Sequence, residues 1–156
     1  MRIGHGFDVH PLVAQRPLML GGVAIPHDRG LLGHSDGDCL LHAICDALLG
    51  AAGLGDIGQH FPPGDPAFKD IDSKILLANV YNQIRHAWRI VNIDTTILAE
   101  RPKLSPYFSA MKAAIAAIVE VPMASINIKA TTTEGLGFIG RKEGIAAHAV
   151  CLLASQ

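Results

Sequence analysis

The chain reads as an α+β domain: a mainly four-stranded mixed sheet with helices on one face. Three observations predict this. Four β-rich runs, at about residues 2–10, 88–99, 125–131 and 144–154, are long enough to be sheet strands. Helical patterns separate the long runs, which favours one sheet under one helical layer. The chain has 156 residues, 49% of them apolar, enough for the core of one domain spanning 1–156.

The elements follow in order. In residues 2–10, Ile3, His5, Phe7 and Val9 share one strand face, and Gly4, Gly6, Asp8 and His10 share the other. Two glycines inside a strand mark a place where something approaches the backbone closely. Residues 18–25 read as a short hairpin about Gly21-Gly22. A helix is expected to start near Ser35 as N-cap, with Asp38 three residues on in capping-box position. Leu40, Leu41, Ile44, Ala47 and Leu48 give it helical spacing, and Gly50 and Gly53 mark its end. Residues 55–71, dense in Gly, Pro and Asp, read as a loop. Further helices are expected over about 72–87 and 106–119, and a polar, Gly-rich loop joins the last two strands.

The alternation leaves the sheet with a second apolar face, for which partner subunits are the simplest cover. Charged residues make up 17%, below the usual ~25%, which points the same way. The net charge of -1 and the absence of Lys/Arg clusters argue against nucleic acid and against a membrane surface. No run approaches the ~20 apolar residues of a membrane span. The N-terminal residues lack a signal-peptide core. Cys39, Cys45 and Cys151 show no paired spacing and read as buried thiols. A cytoplasmic protein is expected, or an organellar one if a transit peptide has been removed.

Asp8 and His10 sit two apart on one strand face, about 7 Å along the chain. That places a carboxylate and an imidazole where they can share an ion, although Asp-x-His alone also arises as plain surface polarity. His42 falls on the second turn of the helix expected from Ser35, with Asp38 and Asp46 one turn away on either side as possible orienting partners. A core histidine with ordinary hydrogen bonds is the competing reading. Asp, His and His together leave a fourth position open, the pattern of a catalytic zinc site. His34 precedes the helix, whose N-terminal amides favour an anion. It is otherwise an ordinary loop residue. In Lys129-Ala-Thr-Thr-Thr-Glu134, hydroxyls and amides suit a phosphate and Glu134 a hard cation, while a solvated loop explains the same residues. Lys103 suits a phosphate or nucleobase, or is a lone surface lysine. His5, His27, His60, His86 and His148 read as structural or surface residues.

Several motifs in one order carry more than any pair. They are Arg-Ile-Gly-His-Gly-Phe-Asp-Val-His at 2–10, His-Ser-Asp-Gly-Asp at 34–38 with His42, Leu-Gly-Asp-Ile-Gly at 54–58, Asp-Pro-Ala-Phe-Lys at 65–69, and Ala-Thr-Thr-Thr-Glu-Gly-Leu-Gly-Phe-Ile-Gly-Arg-Lys-Glu-Gly at 130–144. Over residues 2–154 the chain resembles the 2-C-methyl-D-erythritol 2,4-cyclodiphosphate synthases of non-mevalonate isoprenoid synthesis. The resemblance implies a cyclising phosphorus–oxygen lyase. The 2-phosphate of 4-diphosphocytidyl-2-C-methyl-D-erythritol 2-phosphate attacks the β-phosphorus, and CMP leaves.

It also implies site roles. Asp8, His10 and His42 would hold Zn2+, and Glu134 would help hold Mg2+ or Mn2+ at the diphosphate. His34 and Thr132 would act at the phosphates, with Ser35 near the 2-phosphate. Asp56, Ile57, Gly58 and Phe61 would line the methylerythritol region. Ala99, Lys103, Leu104, Ala130 and Thr131 would surround the cytidine. Asp65, Thr133, Phe138 and Arg141 complete the implied substrate contacts. The family implies a homotrimer with its sheets facing the threefold axis and its active sites at subunit interfaces. Phe7 and Arg141 would line a central cavity for an isoprenoid diphosphate. Two positions depart from the family: His148 stands where many members have Glu, and Pro63-Gly64 where Asp-Thr is common. The rival readings are a phosphoesterase using the same triad to activate water, and a non-catalytic trimer binding isoprenoid diphosphates.

Overall fold

The computed structural model describes residues 1–156. Its main sheet has five strands rather than four, in the order β4 (Arg29–Leu31), β1 (Arg2–Ala14), β7 (Gly144–Ser155), β5 (Trp88–Leu98), β6 (Ile126–Thr131). The long strands are β1, β5, β6 and β7. The fifth is the short edge strand β4. It exists because β1 runs on to Ala14 instead of stopping at His10, so that Leu12 pairs with Leu31. The expected short hairpin is present as β2 (Leu18–Leu20) and β3 (Val23–Ile25), turning on Gly21 and Gly22, both at positive φ. The sheet is mixed: β5 and β6 run parallel, and the other pairings are antiparallel.

The central helix α1 (Cys39–Ala52) begins four residues after Ser35. Asp38 is its N-cap and accepts from the Leu41 amide at 3.0 Å. The other carboxylate lone pairs of Asp38 accept from the Gly21 and Gly22 amides at 2.9 and 2.7 Å. One buried carboxylate thus starts the helix and pins the hairpin, which is why Asp38 outcompetes Ser35 for the cap. Gly53, in the left-handed region at φ 77°, ends the helix. Leu, Ile, Ala and Cys surround α1 on most sides because it is packed between the sheet and a second helix, α3 (Ser73–Ile84). The loop before α3 contains one turn of helix, α2 (Ile57–His60). A third main helix, α4 (Phe108–Ile118), packs near β6. A further single turn, α5 (Gly137–Gly140), interrupts the Gly-rich loop ahead of β7.

The two strand glycines explain how α1 sits. A Cβ on Gly4 would stand 1.8 Å from the Ala47 carbonyl oxygen, and one on Gly6 1.9 Å from that of Ala43. Helix and strand backbones therefore touch there, and the third residue of that strand face, Asp8, comes level with His42. The three cysteines are buried and unpaired. The opposite sheet face is apolar and open: Ile3, Phe7, Val9 and Val150 are all exposed. No helix is long and apolar enough to cross a membrane.

Candidate metal centre and substrate cavities

Strand β1 presents Asp8 and His10 to α1, and α1 presents His42 to them. Asp8 Oδ2 lies 2.8 Å from His10 Nε2 and 3.0 Å from His42 Nδ1. The two imidazole nitrogens lie 3.1 Å apart. Atoms bonded to one zinc ion at about 2.0–2.2 Å stand roughly 3–3.5 Å apart, so the three donors fit a single ion. Their protonation fits as well. His10 Nδ1 lies 2.9 Å from the Leu32 carbonyl oxygen, which can only accept, so Nδ1 carries the proton and Nε2 a lone pair. His42 Nε2 lies 2.9 Å from Ser73 Oγ and 3.0 Å from Ser35 Oγ. The Ser73 hydroxyl donates to Asp36 Oδ1, so Ser73 Oγ accepts from His42 Nε2 and leaves Nδ1 bare. Three lone pairs then converge with no hydrogen between them, an arrangement that could hold a cation.

Electrostatics agree. Burial opposes ionisation of Asp8, but hydrogen bonds and charge from His10 and His42 outweigh it and hold its pKa at about 2. Burial alone would lower the pKa of His10, but Asp8 and the Leu32 carbonyl raise it overall. The cluster thus favours positive charge at its centre, from a metal ion or, failing one, from a proton.

The orienting partners differ from those expected. Asp38 serves the α1 cap, and Asp46 Oδ1 accepts from the Ile57 amide at 2.7 Å, so neither touches His42. Ser35, Ser73 and Asp36 take that place. Asp36 Oδ2 also accepts from the Ser73 amide at 3.1 Å. Arg16 braces the same loop, donating to the carbonyls of Leu31 and Ser35. Nothing in the local sequence of Ser73 marks it, because it stands 31 residues from His42 and looks like an ordinary helix start. Asp36 lies inside a motif already singled out, but only the fold shows what it binds.

Two cavities carry most of the other expected residues. One, about 180 Å³, adjoins the triad and is lined by His10, His42, His34, Ser35, Ile57, Gly58 and Phe61, with Pro63, Phe68, Ile71 and Leu76. The departing Pro63 therefore faces this cavity, while the Ser35 hydroxyl is turned back towards His42. Asp56 is not in the lining: it caps α2 and binds Gln59. Asp65 reaches the region through its carbonyl, 3.2 Å from His34 Nε2.

The second cavity, about 560 Å³, is lined by Ala99, Lys103, Leu104, Ala130, Thr131 and Thr132, and also by Glu100, Arg101, Pro102, Ser105, Phe108 and Lys142. Glu100 had no signal in the sequence, yet it orders the loop that follows β6. Its Oε1 accepts from the Thr133 and Gly135 amides at 2.9 and 3.2 Å. Those hydrogen bonds hold its pKa below the usual carboxylate range. Thr133 is thereby tied to Glu100, and Glu134 Oε1 accepts from Thr132 Oγ1 at 3.1 Å. Phe138 and Arg141 line neither cavity; Arg141 pairs with Glu143 at 2.8 Å.

The two cavities share no lining residue. Strand register measures the gap: Asp8 pairs with Ala147, Ala147 with Ile97, and Ile97 with Ala130. Three strand spacings separate Asp8 from Ala130, about 14 Å between Cα atoms.

The chain is 60% identical over its full length to a 2-C-methyl-D-erythritol 2,4-cyclodiphosphate synthase of Syntrophobacter fumaroxidans, covering 99% of that protein. It is 62% identical over its full length to the synthase of that name from Moorella thermoacetica, covering 96% of it. Among solved structures it is similar to the bifunctional IspDF of Campylobacter jejuni, with a TM-score of 0.96 and 47% identity over 99% of this chain and 42% of that one. It is also similar to a CDP-bound 2C-methyl-D-erythritol-2,4-cyclodiphosphate synthase, with a TM-score of 0.89 and 37% identity over 98% of this chain and all of the other. The family model described as the YgbB family matches residues 1–154, and the chain, with its Asp8–His10–His42 cluster, belongs to that family.

Proposed function

We propose that the chain catalyses formation of 2-C-methyl-D-erythritol 2,4-cyclodiphosphate from 4-diphosphocytidyl-2-C-methyl-D-erythritol 2-phosphate, as a CMP-releasing cyclase in isoprenoid precursor synthesis. The observation that carries the reading is the triad of bare donors at 2.8–3.1 Å, two of which also line a small cavity. Identity of 60–62% to synthases of that name supports it.

In the reaction an oxygen of the 2-phosphate bonds to the β-phosphorus while the bond from that phosphorus to the oxygen shared with the α-phosphate breaks. That oxygen leaves with CMP. Both reacting groups belong to one molecule, so the protein's task is to fold the substrate and neutralise charge. Asp8, His10 and His42 would hold a divalent ion, zinc by donor type, which supplies Lewis-acid stabilisation of the phosphoryl charge. Glu134 would contribute to a second, harder ion, Mg2+ or Mn2+. His34 and Thr132 donate to phosphate oxygens. Ile57, Gly58 and Phe61 enclose the methylerythritol chain, and Ala99, Lys103, Leu104, Ala130 and Thr131 receive the cytidine.

One copy separates these halves, and the exposed apolar sheet face needs cover. Both features favour a homotrimer in which the triad of one copy meets the nucleotide cavity of the next. Arg141, which the resemblance places at the central cavity, is paired with Glu143, so an isoprenoid diphosphate there would compete with that ion pair.

The test is metal analysis joined to a mass-resolved product assay on the proposed substrate. One zinc per triad, CMP and the cyclic diphosphate are expected, with no free phosphate. Release of inorganic phosphate would instead identify a phosphoesterase. His42→Ala should lose the triad ion and nearly all turnover while staying folded by circular dichroism; full activity in that variant would overturn the assignment.

A further inference from the structure

Away from the triad, a second pair of imidazoles meets on the open face of the sheet. His5 on β1 and His148 on β7 lie on the same face, His148 opposite Phe7 and His5 opposite Val150. His5 Nε2 stands 3.1 Å from His148 Nδ1, with ring centroids 5.3 Å apart. The same nitrogen types stand at the same separation in the triad, between His10 Nε2 and His42 Nδ1. Each of the outer-face rings has the other as its only hydrogen-bond partner. The Phe7 ring packs on His148 at 4.7 Å and helps hold it in place. The nearest acid on the neighbouring strand, Asp94, opposite Val150, is already bonded to Lys129 and Asn127.

We propose that His5 and His148 form a second metal site, a two-imidazole chelate for a borderline divalent ion such as Zn2+ or Ni2+. In the metal-free neutral pair, one proton lies between the facing nitrogens. The ion displaces that proton, which passes to the outer nitrogen of the donating ring by exchange with water, and each neutral ring then gives the ion one lone pair, at a nitrogen separation that bonds of about 2.0–2.1 Å allow. Imidazole selects Zn2+, Ni2+ or Cu2+ and disfavours Mg2+, which seeks oxygen donors. Adjacent strands in register position both rings, so little freedom is lost on binding. Where copies of the chain meet on this face, donors from neighbouring copies complete the coordination. That last step rests on the proposed trimer; the pair itself belongs to one chain.

Equilibrium dialysis of the full chain against Zn2+, with the bound ion counted by mass spectrometry, tests the site. The wild type should bind zinc beyond the single triad ion per chain. His5→Ala and His148→Gln should each lose that excess and keep the triad ion. Identical counts and affinities in all three proteins would overturn the proposal. In the wild type, NMR should show the His5 and His148 ring resonances shifting with Zn2+ and not with Mg2+; unchanged rings would overturn it without reliance on a variant. Sedimentation velocity on the same samples and CMP release keep the outcomes apart. A monomer would refute the assembly, and a chain releasing no CMP would refute the synthase reading. In either case the excess zinc, present or absent, still decides for or against this site.

Discussion

An imidazole offers a metal one lone pair, and the group bound to its other nitrogen decides which one. For His10 that group is the Leu32 carbonyl, and for His42 it is the Ser73 hydroxyl, itself committed to Asp36. Ser73→Ala removes the acceptor whose own hydrogen is committed to Asp36 and leaves His42 Nε2 with the Ser35 hydroxyl, which can donate as well as accept and so no longer fixes Nδ1 as the bare nitrogen. Zinc affinity at the triad is expected to fall by about 10–100-fold, measured by competition with a chromogenic chelator. Ser73→Thr, which keeps the hydroxyl, should restore most of it; equal affinity in Ser73→Ala and wild type would remove Ser73 from the positioning chain. Spacing nominated Asp8, His10 and His42 as candidate ligands, because the first two need only a strand and the third only a helix, and the ordered motifs joined them into one site. Their orienting partners were not: helical spacing nominated Asp38 and Asp46, whereas the fold turns both towards backbone amides.

At the scale of elements, the approach of α1 to β1 sets the height of His42 over Asp8. The approach is possible because Gly4 and Gly6 offer no Cβ to the carbonyls of Ala47 and Ala43. Gly6→Ala would place a methyl 1.9 Å from the Ala43 oxygen, beside His42, and the helix must shift. A loss of about 1–3 kcal/mol is expected from the midpoint of urea unfolding, with weakened zinc binding. An unchanged midpoint would show that the contact carries no weight. The long strands and main helices were legible within a few residues because their apolar periodicity is strong. The start of α1 was not: Ser35 and Asp38 are both good caps by type, and the choice fell to Asp38 because only it also reaches the hairpin amides. The edge strand β4 was missed for a related reason, since Arg29-Gly30-Leu31 has no pattern of its own and becomes a strand only by pairing with β1.

For the whole molecule, the open apolar face and the division of the cavities are one problem. Ile3, Phe7, Val9 and Val150 form an exposed apolar surface on the two neighbouring strands β1 and β7. Burying a Lys charge there without a partner is costly. Val150→Lys should therefore give a monomer in sedimentation velocity. It should keep zinc on the triad and lose CMP release, because in the proposed trimer the triad of one copy meets the nucleotide cavity of the next only when this face is covered. A monomer with wild-type turnover would show that one copy holds a complete site and would end the composite-site reading.

The α+β class, the long strands and main helices, the candidate metal triad and the family were legible in the linear chain, because each rests on local periodicity or on motifs in a fixed order, whereas the fifth strand of the sheet was not. What surrounds them was decided in three dimensions. Folding made Ser73 and Asp36 the supports of His42, Glu100 the organiser of the Thr133–Gly135 loop, and His5 and His148 neighbours. The cause is the same in each case. A hydrogen-bond partner or a shared ion needs only proximity in space, and residues 31, 37, 33 or 143 positions apart leave no periodic trace of it in the chain.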